Sequence, residues 1–284
     1  MMIKRILAPL AVVAATGLAG QALAAGEGGH VTDVDFSFEG PFGTYDSMQL
    51  QRGFQVFHQV CASCHGLKYL AFRSLGDSTG PAFPDDQVKA IAALYEVADT
   101  GPEALPGDTR PGLPSDKFPA NTAAGAPDLS LMAKARAGFH GPYGLGINQF
   151  LKGTGGAEYI YSLLTGYTGE EHEAAGSILY GNEVFPGGKI SMAQPLWGDD
   201  VEYTVHGGGD HEGEEGYHGA DYTPPEATIE QEAKDVAAFL MWVAEPKLTE
   251  RKEAGLRNLI WLVILSVLLY FTNKKVWASV KGDH

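Results

Sequence analysis

Two cysteines, three positions apart and followed by a histidine, constrain this chain more than any other feature of its sequence. They lie in the segment V-C-A-S-C-H-G-L, where Cys61 and Cys64 are the only cysteines of the chain and His65 follows directly. Three kinds of site use such a cluster: a redox-active disulfide, a zinc site, or haem attachment through C-x-x-C-H. A thioredoxin-like disulfide needs a βαβ context, which is missing here, and zinc needs a second pair of ligands.

The pattern therefore predicts one covalently bound haem c. Each thiol would add to a haem vinyl group, because the spacing lets both thiols reach one porphyrin edge from a single helical turn. His65 would then be an axial ligand of the iron. Both thiols of the chain would be consumed by the cofactor.

The N-terminal end of the chain predicts export. Lys4 and Arg5 precede an apolar run, Ile6–Ala19, and small residues follow at Ala22 and Ala24, which is the order of a secretory signal peptide at residues 1–24. A first transmembrane helix is the alternative, but the run is short and rich in Ala and Gly. The haem domain, residues 25–252, would lie in a bacterial periplasm.

A second apolar stretch, Leu259–Phe271, predicts a membrane anchor at residues 253–277. With its flanks the stretch reaches the roughly 20 residues that a span needs, and Trp277 would lie at the membrane interface. A buried core helix is the alternative, but nothing follows that could cover it. Because the domain is exported first, residues 278–284 would form a cytoplasmic tail, and the protein would cross the bacterial inner membrane once.

The domain between these segments is strongly acidic. Without the charged residues of the two ends, 34 acidic and 15 basic residues remain, a balance of −19; those set aside are Lys4, Arg5, Lys274, Lys275, Lys281 and Asp283. This balance argues against nucleic acid and anionic lipid as partners and favours a basic protein.

Hydrophobic periodicity and capping residues predict a mainly α fold, a cytochrome c-like haem domain with long loop insertions. The first predicted helix begins at Asp46 or Ser47 and leads into the thiols, the second spans Gln87–Ala98, and the third begins at Pro127. The fourth covers G-A-E-Y-I-Y-S-L-L-T up to Gly166. The fifth runs from Thr228 to Pro246, where a short charged hinge leads to the anchor. Asp99–Ala126 reads as a long loop, and Gly169–Tyr222 has little helix signal. Within the latter, His206–Asp221 is predicted to be a solvated acidic loop; a metal site at His206, His211 and His218 is the alternative.

The sixth iron ligand is predicted to be Met192. Met48, Met132 and Met241 lie in predicted helices, whereas Met192 lies in a loop between Pro186 and Pro195 that could lay a thioether across the distal haem face. A histidine ligand and an open site are the alternatives. Thioether ligation stabilises ferrous iron and fills the site, which suits electron transfer.

The chain resembles the cytochrome c1 family, the haem c subunits of the ubiquinol–cytochrome c oxidoreductase (bc1) complex, and its alphaproteobacterial members above all. Five segments carry the resemblance in order: LQRGFQVFHQVCASCHGLKYLAFRSL, APDLSLMAKAR, YIYSLLTGY, FPGGKISMAQPL, and DVAAFLMWVAEP followed by one apolar span. Two departures stand out. Gln194 replaces a proline that often follows the methionine, which suggests a less rigid loop, and no cysteine is left for the disulfide that ties an insertion in some bacterial relatives. The region Gly169–Tyr222 must then be held otherwise or be mobile.

The resemblance implies an electron relay in a membrane complex with cytochrome b and the Rieske iron–sulfur protein, a complex expected to be dimeric. Electrons would arrive from the Rieske protein and leave to a basic cytochrome c, so the chain would be an electron-transferring subunit of an oxidoreductase without a substrate pocket of its own. Carried over, Cys61 and Cys64 hold the haem, and His65 and Met192 ligate the iron. Pro127 would lie near His65, and Arg136 would face a haem propionate or simply be exposed.

Two other functions compete with this interpretation. An anchored cytochrome c of another electron-transport complex would use the same chemistry. A haem peroxidase or gas sensor would keep the sixth iron site open.

Overall fold

The computed structural model describes residues 29–122, 125–136, 153–174, 176–203 and 223–278. The predicted signal peptide and the His206–Asp221 loop lie outside these residues. Helices contain 42% of the residues and strands 11%, so the predicted mainly α fold is confirmed.

Three helices form the centre of the domain, and each was predicted. Helix α1, Ser47–Val56, begins at Asp46, whose side chain accepts hydrogen bonds from two backbone amides of the first turn. This cap supplies an acceptor that the first turn lacks. The two others are Gly156–Thr165, which ends at Gly166, and Ile229–Ala244, which is capped by the Thr228 side chain.

The N-terminal helix α1 packs against the helix Ile229–Ala244 at Gly53. A Cβ atom at Gly53 would lie 2.0 Å from the Asp235 carbonyl oxygen and 2.7 Å from the Phe239 Cβ, so only glycine permits this approach. The helix Gly156–Thr165 packs on the same central helix. Buried aromatic rings fill the space beside the crossing, including Phe54, Phe57 and Phe239.

The predicted helix over Gln87–Ala98 is only partly correct. Helix α2 spans Asp85–Ala93, and Glu96–Ala98 instead forms strand β1, paired antiparallel with β2, Thr109–Pro111. The backbone amide of Gly112 donates to the Tyr95 carbonyl, so pairing with a distant segment takes the place of a further helical turn. A 3₁₀ helix, Phe72–Gly76, precedes α2.

The predicted helix from Pro127 is wrong over its first part. Only Met132–Ala135, α3, is helical, and the residues before it are instead hydrogen-bonded to the segment from His65 to Tyr69. In chain order, Gly156–Thr165 is α4 and Ile229–Ala244 is α5.

Part of the region with little helix signal is a small antiparallel sheet. Its strands are β3 Tyr167–Ala174, β4 Ser177–Asn182 and β5 Lys189–Ile190, in the order β3-β4-β5. Backbone pairing therefore holds this described part of the insertion, where some relatives were expected to use a disulfide.

Helix α6, Leu248–Val276, is long and apolar enough to cross a membrane, and its apolar window is fully exposed. The helix begins earlier than predicted, so the charged hinge shrinks to Glu245–Lys247, and the predicted boundary at 252/253 falls inside continuous helix. Leu248 and Thr249 are buried against the domain.

Candidate functional site

The two thiols lie where α1 passes into a short π-helical segment, Phe57–Cys61. The Ala62 amide donates to the Phe57 carbonyl at 2.8 Å, and the amides of Cys64 and His65 both donate to the Cys61 carbonyl, at 3.1 and 2.9 Å. A π turn of this kind often marks a functional site. The predicted helix leading into the thiols is thus confirmed, and the three residues of the motif share one tight turn.

Both thiols are free, and their environments differ. Cys64 is exposed, whereas burial, with a smaller contribution from Cys64, raises the pKa of the Cys61 thiol to about 12. Cys61 and Ala62 pack against the hydrophobic core, so one attachment point would be fixed within the domain and the other would lie at its surface.

The tautomer of His65 follows from its hydrogen bond to Pro127. Nδ1 of His65 lies 2.7 Å from the Pro127 carbonyl oxygen. Because a carbonyl only accepts, Nδ1 carries a proton and donates it, and in the neutral ring Nε2 is then the nitrogen with the lone pair. Metal-ligating histidines are oriented by such a bond on their other nitrogen. Pro127 therefore lies beside His65, as the resemblance implied.

The segment that follows Pro127 is bonded along the segment that follows His65. The Leu129 amide donates to the Gly66 carbonyl at 3.0 Å, and the Lys68 amide donates to the Asp128 carboxylate at 2.9 Å. The Tyr69 amide donates to the Ser130 hydroxyl at 3.1 Å. These bonds tie Pro127–Ser130 to the segment that follows His65, and they hold the Pro127 carbonyl in position.

Asn121 is a positioning residue that sequence reasoning missed. Its side-chain amide donates to the carbonyls of Ala62 and Ser63, at 3.2 and 2.8 Å, and so ties down the loop between the thiols. A Cβ atom at Gly66 would lie 2.6 Å from the Asn121 backbone nitrogen, so the two segments are in close contact. Asn121 lies in a Pro-rich stretch with no periodic signal, and nothing in the sequence could have singled it out.

A cavity of about 170 Å³ opens beside this turn. His65 lies on its wall together with mainly apolar residues, which are Phe57, Ala62, Gly66, Leu67, Tyr95, Phe118, Pro119, Ala120 and Asn121. Two thiols, an imidazole whose Nδ1 is bonded to a carbonyl and an apolar wall are the donors and surroundings that a haem c requires, so the residues fit the predicted cofactor.

Met192 is half-buried against the same core as Cys61, in a loop fixed at two points. The Tyr167 hydroxyl donates to the Met192 carbonyl at 3.0 Å and lies 3.5 Å from the Ala193 carbonyl. The Gln194 side chain donates to the Leu196 carbonyl at 2.8 Å, so a hydrogen bond restrains the loop where a proline was expected. Tyr167, the first residue after the Gly166 helix stop, was not predicted to have a role.

The remaining predicted residues are less informative. Arg136 is exposed at the end of α3, and Nη1 lies 3.4 Å from the Ala135 carbonyl, so its role toward a propionate stays a prediction. Met132 is half-buried in α3 and Met241 is buried in α5. His206, His211 and His218 lie outside the described residues, among which no cluster of three metal-ligating side chains occurs.

Comparison with known proteins places these features in one family. A model of the Cytochrome C1 family matches residues 36–280. The chain is 47% identical to "Cytochrome c1" of Cereibacter sphaeroides, with 96% of each chain covered. It is 37% identical to "Cytochrome c1, heme protein, mitochondrial" of Saccharomyces cerevisiae, over 94% of this chain and 79% of that one. It is also 39% identical to part of "Cytochrome b/c1" of Bradyrhizobium diazoefficiens, over 86% of this chain and 35% of that protein.

The match reaches from the residues before α1 to beyond α6, so it includes the C-x-x-C-H turn, the Pro127 segment, the Met192 loop and the apolar C-terminal helix. Similarity to bacterial relatives over nearly the whole chain agrees with the resemblance drawn from five separate segments. The chain belongs to the cytochrome c1 family.

Proposed function

We propose that this chain is the membrane-anchored haem c subunit of a bc1 complex and passes electrons from a Rieske iron–sulfur protein to a cytochrome c. One observation carries the proposal: the bond from His65 Nδ1 to the Pro127 carbonyl makes Nε2 the nitrogen available to a metal, in the same turn that holds both thiols. Cytochrome c1 proteins carry a covalently bound haem c, so the predicted cofactor is confirmed. When bound, the haem supplies a one-electron redox couple.

The residues of the turn would hold the cofactor in defined roles. Cys61 and Cys64 would each form a thioether bond to a vinyl group, Cys61 from a half-buried position against the core and Cys64 from the surface. His65 would ligate the iron through Nε2 while Nδ1–H donates to the Pro127 carbonyl, which raises the basicity of the ligand. The bonds from Gly66, Lys68 and Tyr69 to the segment after Pro127 would keep that carbonyl in place during electron transfer.

Met192 would provide the second axial ligand. Its loop is restrained at the carbonyl of Met192 itself and again at Leu196, so the thioether would be held without a large entropic cost at each redox change. A thioether favours ferrous iron and excludes other ligands. Both effects suit an electron relay and oppose peroxidase or gas-sensing chemistry. An occupied sixth site predicts that carbon monoxide does not bind the reduced protein.

The remaining parts of the proposal concern the assembly. The name "Cytochrome b/c1" of the Bradyrhizobium relative supports cytochrome b as a partner in the same complex. Helix α6 supports a single anchor at residues 253–277. The signal-peptide pattern of residues 1–24 supports a haem domain, residues 25–252, in the periplasm, and residues 278–284 would then lie in the cytoplasm. As an enzyme, the chain would act only as the electron-transferring subunit of a quinol–cytochrome c oxidoreductase. Co-purification with cytochrome b and a Rieske protein after mild detergent extraction separates this assignment from an anchored cytochrome c of another complex.

Replacing Met192 with Leu tests the site. The variant should keep its covalent haem, because neither thiol is touched, and its reduction potential should fall because the thioether no longer stabilises ferrous iron. A redox titration followed by absorbance measures the change. Met132→Leu is the matched control and should keep the wild-type reduction potential. If the potential instead falls in Met132→Leu and is unchanged in Met192→Leu, the ligand would be Met132 in α3.

A further inference from the structure

A surface turn before α1 presents an aromatic side chain to solvent on a rigid base. The rings of Phe36 and Phe38 are stacked with centroids 5.0 Å apart, both are buried, and Phe38 also contacts the ring of Tyr45 at 5.2 Å. Gly40 has φ of 67° and reverses the chain. At the tip, Phe42 is 72% exposed. The base is therefore fixed in the core while a large apolar ring points outward.

The same turn is bonded to the start of the anchor helix. Nζ of Lys252 donates to the carbonyls of Phe38 and Gly43, at 2.5 and 3.3 Å, and so binds both sides of the turn. Leu248 and Thr249 of the first helical turn are buried against the domain. The turn and the first part of α6 are thus held together, and the turn keeps a fixed height along the helix.

The depth of this contact follows from the length of the helix. A hydrocarbon core of about 30 Å takes about 20 residues at 1.5 Å per residue. Leu256 is the first large apolar residue exposed on α6, so those residues run from Leu256 to Lys275, with Trp277 at the far interface. Lys252 precedes Leu256 by one helical turn, about 6 Å, and the headgroup layer is about 5–7 Å thick. Lys252 and the turn it binds therefore lie at headgroup depth.

We propose that the Pro41–Phe42 tip inserts into the headgroup layer of the membrane and forms a second contact between the haem domain and the bilayer. The interface favours aromatic side chains, and an exposed ring at this depth would exchange water for the upper acyl region. The side chain that the tip exposes is an uncharged ring, so the proposed contact is apolar. Together with α6, this contact would limit the tilt of the domain over the bilayer. The inference rests on the proposed membrane span of α6.

Lipid quenching of a label at the tip tests the inference. The full-length holoprotein, as wild type, Phe42→Cys or Leu105→Cys, is labelled with a fluorescent thiol reagent and reconstituted into phosphatidylcholine vesicles with brominated acyl chains. Leu105 is the matched control because it is 69% exposed and lies in the loop between β1 and β2. Wild type measures the background, since both native thiols would be bound to haem. Absorbance of the covalent haem verifies that each variant has matured.

We expect a loss of fluorescence at position 42 with bromines near the headgroups, and none at position 105. Equal fluorescence at the two positions, with both labels open to a water-soluble quencher, would overturn the inference and leave α6 as the sole contact. Protection of position 42 from both quenchers in the assembled complex would also overturn it, because another subunit would then cover the tip. Release of the wild-type chain from vesicles by carbonate would instead overturn the membrane span and this inference together.

Discussion

Replacing Tyr167 with Phe removes one hydroxyl from the loop that carries Met192 and keeps the ring. That hydroxyl donates to the Met192 carbonyl at 3.0 Å, and burial raises the pKa of Tyr167, so the phenol stays a donor at neutral pH. One such hydrogen bond contributes about 0.5–1.5 kcal/mol. If this hydrogen bond forms only while Met192 ligates the iron, its loss should raise the fraction of protein with Met192 off the iron about 2- to 12-fold.

Imidazole binding to the ferric holoprotein measures this fraction, because the added ligand can bind only when Met192 has left. The apparent dissociation constant should fall by the same about 2- to 12-fold in Tyr167→Phe, since affinity scales with the population of the competent state. Tyr180→Phe is the matched control. Tyr180 lies half-buried in β4, in the same sheet, and its hydroxyl bonds to none of the described residues. An unchanged constant in Tyr167→Phe, or an equal fall in the control, would refute the role of Tyr167.

Three further predictions concern the domain and its surface. Gly53→Ala should lower the free energy of unfolding by about 1–3 kcal/mol, because the added Cβ would lie 2.0 Å from the Asp235 carbonyl oxygen. Gly255→Ala is the control and should leave the free energy of unfolding unchanged, because nothing lies within 4 Å of its Cβ position. Denaturant titration compares the two variants. A chain ending after Lys252 should leave the membrane in high salt and keep its haem spectrum, because a single exposed ring at the Pro41–Phe42 tip is too small to anchor the domain. Sedimentation with membranes would contradict α6 as the main anchor. Electron transfer to a basic cytochrome c should slow as ionic strength rises, in stopped-flow measurements, because the −19 balance guides the encounter. Deleting residues 206–221 should preserve this dependence if the docking charge lies elsewhere, and flatten it if that loop is the docking surface.

Local sequence signals predicted the parts of the fold that local interactions determine. Asp46 and Thr228 cap their helices within three residues, and Gly166 ends α4, so the sequence was sufficient there. The C-x-x-C-H turn was equally visible, because its three reactive residues are neighbours in the chain.

Long-range contacts explain what the sequence could not predict. Pro127–Ser130 has the composition of a helix start, but its partners are about 60 residues earlier, at His65–Tyr69. Asn121 and Tyr167 likewise act through side-chain hydrogen bonds to segments that only the tertiary fold brings near. The sequence predicts helix at strand β1 because the pairing partner of that strand, β2, lies within a predicted loop.

Mass spectrometry of the peptide that contains Val60–Leu67 tests the central claim most directly. The full-length chain, produced with a c-type maturation system, is digested and compared with the Cys61→Ala/Cys64→Ala double variant. The account predicts that the wild-type peptide carries the mass of one haem, that no free thiol remains on it, and that the double variant carries none. A wild-type peptide with two free thiols or a disulfide, and no haem, would contradict it.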